Sequence, residues 1–144
     1  MTGHLLRVRL IAVAAIAAFL ALAFGIRLAF TGGNVLNSSP GLAQYSGTAL
    51  YAATVYAAVF ALFPRTRPGP AAAAAIAFCW LIEFFQMTGI PAHLSDQSAL
   101  ARLALGRTFD PTDLLWYALG VLPLALLHHL VTRHRPAGPP RVSG

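Results

Sequence analysis

Residues 71–88 read AAAAAIAFCWLIEFFQMT. The stretch is apolar apart from Glu83, Gln86 and Thr88. A helix rises 1.5 Å per residue, so about 20 residues cross a hydrocarbon core of about 30 Å. The run has the length of a membrane span. A carboxylate inside such a run is costly in lipid, rare, and a functional hypothesis by default. A spanning length with one embedded acid reads as a membrane helix whose Glu83 has a task.

Three further stretches have the same character. Residues 10–30 are interrupted only by Arg27, and residues 45–63 carry no charge. Residues 112–132 open on Asp113 and later contain His128 and His129. Backbone polar groups in lipid must bond internally, so each span is read as a helix. The composition agrees. Of 144 residues, 58% are hydrophobic and 10% charged, where a soluble domain has about 25% charged residues. A soluble domain of this size exposes too much of its surface to hide that many apolar side chains. The same figures exclude a disordered chain. The single cysteine, Cys79, excludes an intrachain disulfide framework. The expected fold class is all-α: a four-transmembrane-helix bundle with a short interfacial helix in the outer loop between helices 3 and 4. It forms one integral membrane domain over 1–135, with helices at about 10–30, 45–63, 71–88 and 112–132. A disordered cytoplasmic tail covers 136–144, which is rich in Pro and Gly.

The chain has a net charge of +6. Its ten basic residues are all arginines, and they sit beside apolar runs rather than on one basic face, so nucleic acid is excluded as a partner. Their distribution sets orientation instead. If four helices alternate, Arg7, Arg9, Arg65, Arg67, Arg133, Arg135 and Arg141 share one side. The other side has Arg102 and Arg107, offset by Asp96 and Asp110. The positive-inside rule then places both termini in the cytoplasm, and arginine without lysine, with abundant alanine, points to GC-rich coding and so to a bacterial plasma membrane. A cleaved signal peptide is the competing reading, with Arg7 and Arg9 as its basic start and Ala21-Leu22-Ala23 as the cleavage site. The apolar run continues to Phe30, which favours an uncleaved span.

The outer loop carries helix punctuation. Ser95 suits an N-cap and Gly106 the glycine that stops the same short helix. Asp110, Pro111 and Asp113 suit the N-cap, N1 and N3 positions of the last span, as in a capping box. Small residues recur every four positions on helix 1 (Ala17, Ala21, Gly25, Ala29) and on helix 2 (Ala49, Ala53, Ala57, Ala61), a spacing that lets helices approach closely.

The polar residues converge in depth. Arg27 lies about 25 Å along helix 1, and Glu83 about 18 Å along helix 3. Both fall in the outer half if the helices alternate, so an ion pair is reasonable if helices 1 and 3 touch. Cys79, Glu83 and Gln86 share one face of helix 3, and Asp113, Tyr117 and Gly120 one face of helix 4. Thr48 and Tyr51 stand near the outer start of helix 2. The expected polar cluster is Arg27, Thr48, Glu83, Gln86, Arg102, Asp113 and Tyr117, open to the outside and either ligand-binding or purely structural. Plainer readings exist for several members: Asp110 and Asp113 as helix caps, Arg102 and Arg107 as loop charges, Tyr45, Trp116 and Tyr117 as interfacial aromatics. No phosphate-cradling glycine loop, HExxH or GxSxG occurs, so no catalytic residue is assigned and no enzyme activity is expected. His128 and His129 have no opposing Cys or His spacing, so neither metal nor cofactor is expected.

Arg27 is followed by Tyr45, Gly47, Leu50, Tyr51 and Ala52, then by Glu83 and Gln86, then by Arg102, Leu105, Gly106 and Phe109, and finally by Asp113, Leu114, Tyr117 and Gly120. This order and spacing resemble the small bacterial membrane proteins grouped as domain of unknown function 2809, over about two-thirds of the chain. That pattern has an Asp where this chain has Thr48, which puts in doubt any activity needing a carboxylate there. The second half is distantly similar to the VanZ-like family, associated with glycopeptide-antibiotic resistance, with Tyr117 in place of an Asn. Neither resemblance implies a reaction.

Two functions are expected on these grounds. In the first, the outer pocket binds an envelope lipid headgroup or a lipid-linked precursor, with Arg27 and Arg102 pairing anionic oxygens. In the second, the chain is a small structural or assembly subunit of a larger membrane complex with no ligand of its own, and the cluster holds its own helices. The partners are membrane lipids, and a membrane protein or a second copy in the assembly reading. A proton-coupled transporter ranks below both, because one buried acid in four spans is thin for alternating access.

Overall fold

A computed structural model describes residues 2–31, 40–106 and 108–133. The chain runs α1 (Thr2–Thr31), α2 (Pro40–Leu62), α3 (Pro68–Gln86), α4 (Ile90–Gln97), α5 (Ala99–Leu105) and α6 (Pro111–Arg133). Among the described residues, four helices (α1, α2, α3 and α6) are long and apolar enough to cross a membrane. Arg107 and the tail at 136–144 lie outside the described residues.

Helices α2, α3 and α6 pack on one another, and α1 lies against α2. The core is made of small residues and a few large ones: Ala12, Ala52, Ala71, Ala72, Ala75, Cys79 and Val121 with Tyr56, Phe60 and Tyr117. The alanine spacing on α2 is used as the sequence suggests, since Ala53 and Ala57 are buried. The corresponding spacing on α1 is not. Ala17, Ala21, Gly25 and Ala29 face outward, and the covered positions of α1 are Leu5, Val8, Ala12, Ala15, Ile16, Phe19, Ala23 and Ile26. Their steps of three and four residues describe the helix face turned to α2. Ala12, Ala15 and Ala23 alternate there with larger side chains, so α1 meets α2 through a mixed face rather than through the ribbon of small residues.

The closest approach lies between α2 and α6. A Cβ built on Gly120 would collide with the backbone of Ala49, 2.8 Å from its carbonyl carbon and 2.9 Å from its Cα. Only glycine lets these two backbones come so near, which is how small residues tighten helix pairs in a membrane. The approach brings Asp113, one face-repeat before Gly120, up to the start of α2.

The connection between α3 and α6 departs from the expected single short helix. Gly89 adopts a left-handed conformation (φ 75°) that ends α3 and turns the chain into α4. A second break follows at Ser98, whose extended backbone separates α4 from α5 and whose hydroxyl accepts the N–H of Ala101. Ser98 is thus the N-cap, not Ser95. Ser95 is fully buried on α4, and its hydroxyl donates to Gly106 O at 2.6 Å. Gly106 does stop the helix as expected, with positive φ and its N–H on Arg102 O.

Candidate functional site

Antiparallel packing brings the C-terminal end of α3, the N-terminal ends of α2 and α6, and the α4–α5 segment to one end of the bundle. Glu83 is at the centre and fully buried. One face of α3 carries it there: Ala71, Ala75, Cys79, Glu83 and Gln86 are all buried. The Glu83 carboxylate accepts two hydrogen bonds. Oε1 takes the backbone N–H of Asp110 at 2.6 Å, and Oε2 takes the Tyr117 hydroxyl at 2.9 Å.

The Asp110 contact explains the start of α6. Asp110 caps that helix as expected, since its Oδ1 accepts the N–H of Thr112 at 2.9 Å. In a capping box the N3 carboxylate would reach back to the N-cap N–H. Here Glu83 of another helix takes that N–H, which leaves the N3 residue, Asp113, free to turn toward α2. Asp113 Oδ1 accepts the Thr48 hydroxyl at 3.1 Å, and Thr48 Oγ1 also lies 3.2 Å from Gln44 O. Gln44 Nε2 donates to the second oxygen of Asp110 at 3.2 Å. Three acids thus join three helices through hydroxyl, amide and backbone donors.

The α4–α5 segment is fastened to the same end. Tyr51 of α2 donates to Ala104 O at 2.8 Å, and Gln86 Nε2 donates to Leu105 O at 2.8 Å. Gly106 closes over Gln86 so tightly that an added Cβ would stand 2.7 Å from Gln86 Nε2. Arg102 is exposed, and its guanidinium grips Ser95 O with two bonds, at 3.2 and 3.0 Å. Aromatic contacts cover the sides. Tyr45 stacks on Trp116 with centroids 5.1 Å apart, Phe84 stacks on Phe109, and Trp80 donates to Leu114 O at 3.1 Å.

Of the seven residues expected to form a polar cluster, two pairs are in direct contact: Glu83 with Tyr117, and Thr48 with Asp113. Gln86 and Arg102 both bind the α4–α5 segment, but through backbone carbonyls. Arg27 is exposed on α1, which lies against α2, while both Glu83 oxygens are held by Asp110 and Tyr117. Tyr117 is buried rather than an interfacial ring. Sequence reasoning missed Gln44, Trp80 and the role of Ser95. Gln44 had a signal, since it stands one turn before Thr48 on the same helix face. The others depend on backbone carbonyls, which no side-chain pattern announces. One atom of the cluster stands apart: Gln86 Oε1 is buried and has no hydrogen-bond partner among the described residues.

The family described as "Protein of unknown function (DUF2809)" matches residues 38–121. The matched stretch contains every cluster residue except Arg27. No curated protein and no solved structure matches the chain.

Proposed function

The chain belongs to the DUF2809 family of proteins of unknown function, and on that premise we propose that it is a small assembly subunit of a membrane complex whose polar cluster is an internal clamp. The observation that carries this reading is how the cluster spends its bonds. Glu83, Asp110, Asp113, Thr48, Tyr51, Tyr117 and Arg102 all bond to protein groups. A carboxyl group this deep needs a hydrogen-bond partner for its oxygens. Glu83 meets that condition with neighbours of its own chain, as a structural acid does. The proposal includes a bacterial plasma membrane with both termini cytoplasmic.

A second reading is favoured by Gln86 Oε1. Among the described residues this buried acceptor has no donor, which is uncommon and calls for an explanation. A donor on an envelope lipid headgroup or lipid-linked precursor would satisfy it, reached past Gly106 and Arg102. The distant VanZ-like similarity rests on the same Glu83, Gln86, Arg102, Asp113 and Gly120, and adds no reaction to either reading.

Native mass spectrometry of the full chain, purified in mild detergent, separates the two. The assembly reading expects a stoichiometric protein companion, a second copy or another membrane protein, retained equally by the parent and by Gln86→Ala. A monomer that carries one selective lipid, lost in Gln86→Ala, would overturn it and support the second reading.

A further inference from the structure

The opposite end of the bundle holds a groove of about 890 Å³ between the start of α3 and the end of α6. That volume lies within the range of small-molecule sites. Its walls are of two kinds. Ala72, Ala73, Ile76, Leu122, Ala125 and Leu126 form an apolar floor. At the rim stand Arg67, Arg133 and His129. All three are exposed. No hydrogen bond or ion pair occupies either guanidinium among the described residues.

The chain start of α3 adds to this rim. Arg67 is the N-cap residue, yet its side chain makes no cap hydrogen bond. Pro68 and Pro70 carry no N–H, so the Gly69 N–H is the donor that the first turn presents beside the groove. A helix N-terminus also carries partial positive charge. The groove therefore ends in two guanidinium groups, an imidazole and a helix N-terminus, and opens along its length onto apolar side chains.

We infer that this groove binds one anionic phospholipid of the leaflet on the arginine-rich side. Its phosphate lies between Arg67 and Arg133, and an acyl chain lies along Ile76, Leu122 and Leu126. The match is one of charge and polarity together. Guanidinium forks suit phosphate oxygens, and a free phosphate would leave the apolar floor uncovered. A zwitterionic lipid would cover the floor but set its own cation against the arginines.

A built-in control exists at the same end. Arg9 and Arg65 line a second, smaller groove of about 440 Å³ with Leu5, Leu62, Phe63, Pro64 and Thr66. Removing these two arginines takes away the same charge without touching the first groove.

The test is native mass spectrometry of the full chain in detergent, titrated with phosphatidylglycerol or phosphatidylcholine. Melting temperature with each lipid, and with inorganic phosphate alone, is measured in parallel. The parent is expected to retain one phosphatidylglycerol about tenfold better than phosphatidylcholine, since each surface arginine favours anionic lipid by a few-fold. The Arg67→Gln/Arg133→Gln protein is expected to lose that preference. Arg9→Gln/Arg65→Gln and Gln86→Ala are expected to keep it. Equal retention of the two lipids by the parent overturns the inference. So does an equal loss in both arginine pairs, which would mean diffuse surface charge. Stabilisation by inorganic phosphate matching that by phosphatidylglycerol would identify a free-phosphate site and also overturn it. Loss of the lipid only in Gln86→Ala would move the site to the other end of the bundle.

Discussion

The carboxylate of Glu83 on α3 accepts the backbone N–H of Asp110, the residue that caps α6, at 2.6 Å. The bond does what a capping box does within one helix, but it joins two. It ties the middle of the chain to the start of the last span, and it accounts for a buried acid without a metal ligand set or a reacting group. The second Glu83 oxygen, on Tyr117, fastens the next turn of α6 to the same point.

The approach of Gly120 to Ala49 makes a sharp contrast with Gly47. A Cβ at Gly120 meets the Ala49 backbone, whereas nothing lies within 4 Å of one at Gly47. Gly120→Ala is expected to cost about 1–3 kcal/mol, the usual range for overpacking. Gly47→Ala is expected to be neutral or slightly stabilising, because alanine is the better helix former. Melting curves of both variants in detergent check the pair.

Thr48 links the start of α2 to α6. Here its hydroxyl donates to Asp113 Oδ1. An Asp at this position would place a second carboxylate against the first, where the interaction is repulsive. Thr48→Asp is therefore expected to lower stability. Thr48→Val, which only deletes the donor, is expected to cost about 1 kcal/mol. A Thr48→Asp protein as stable as the parent would show that Asp113 has room to turn elsewhere.

Arg27 and Glu83 are expected to behave as independent sites. The Glu83 oxygens are held by α6 and the residue capping it, and Arg27 sits on a helix that packs on α2. In a cycle of Arg27→Ala, Glu83→Ala and the double variant, the effects are expected to add within about 0.5 kcal/mol. Recovery of stability in the double variant would instead reveal a direct ion pair.

Orientation is open to a simple check. Arg9 and Arg65 line one groove and Arg67 and Arg133 another at the same end of the bundle. A reporter active only in the cytoplasm, fused after Gly144, is expected to be active. Activity from an outside-only reporter would invert the topology.

Much of this was legible in the sequence, and for definite reasons. The long helices follow from length and polarity, which lipid makes decisive. Cys79, Glu83 and Gln86 were placed on one face by helical spacing, and Asp110 as the cap of α6 by the Asp-Pro start. What escaped depended on which helices neighbour one another. The pairing of Arg27 with Glu83 depends on how closely helices 1 and 3 approach, and the main packing of α1 is on α2. Ser95 and Ser98 are both plausible caps three residues apart. Only the break in the backbone at Ser98 tells which one caps and which one bonds Gly106 O. Gly120 fitted a face pattern, but the backbone it faces could not be read from spacing.

The clamp itself is tested most directly by a double-mutant cycle on Glu83 and Tyr117, using Glu83→Leu and Tyr117→Phe and reading unfolding free energy in mild detergent. Each single variant leaves a buried group without its partner, so each is expected to lose about 1–3 kcal/mol. The double variant is expected to lose clearly less than the sum, with a coupling of about 1 kcal/mol or more. Singles that unfold like the parent, or effects that simply add, would contradict the claim that this buried carboxylate is kept to hold α3 and α6 together.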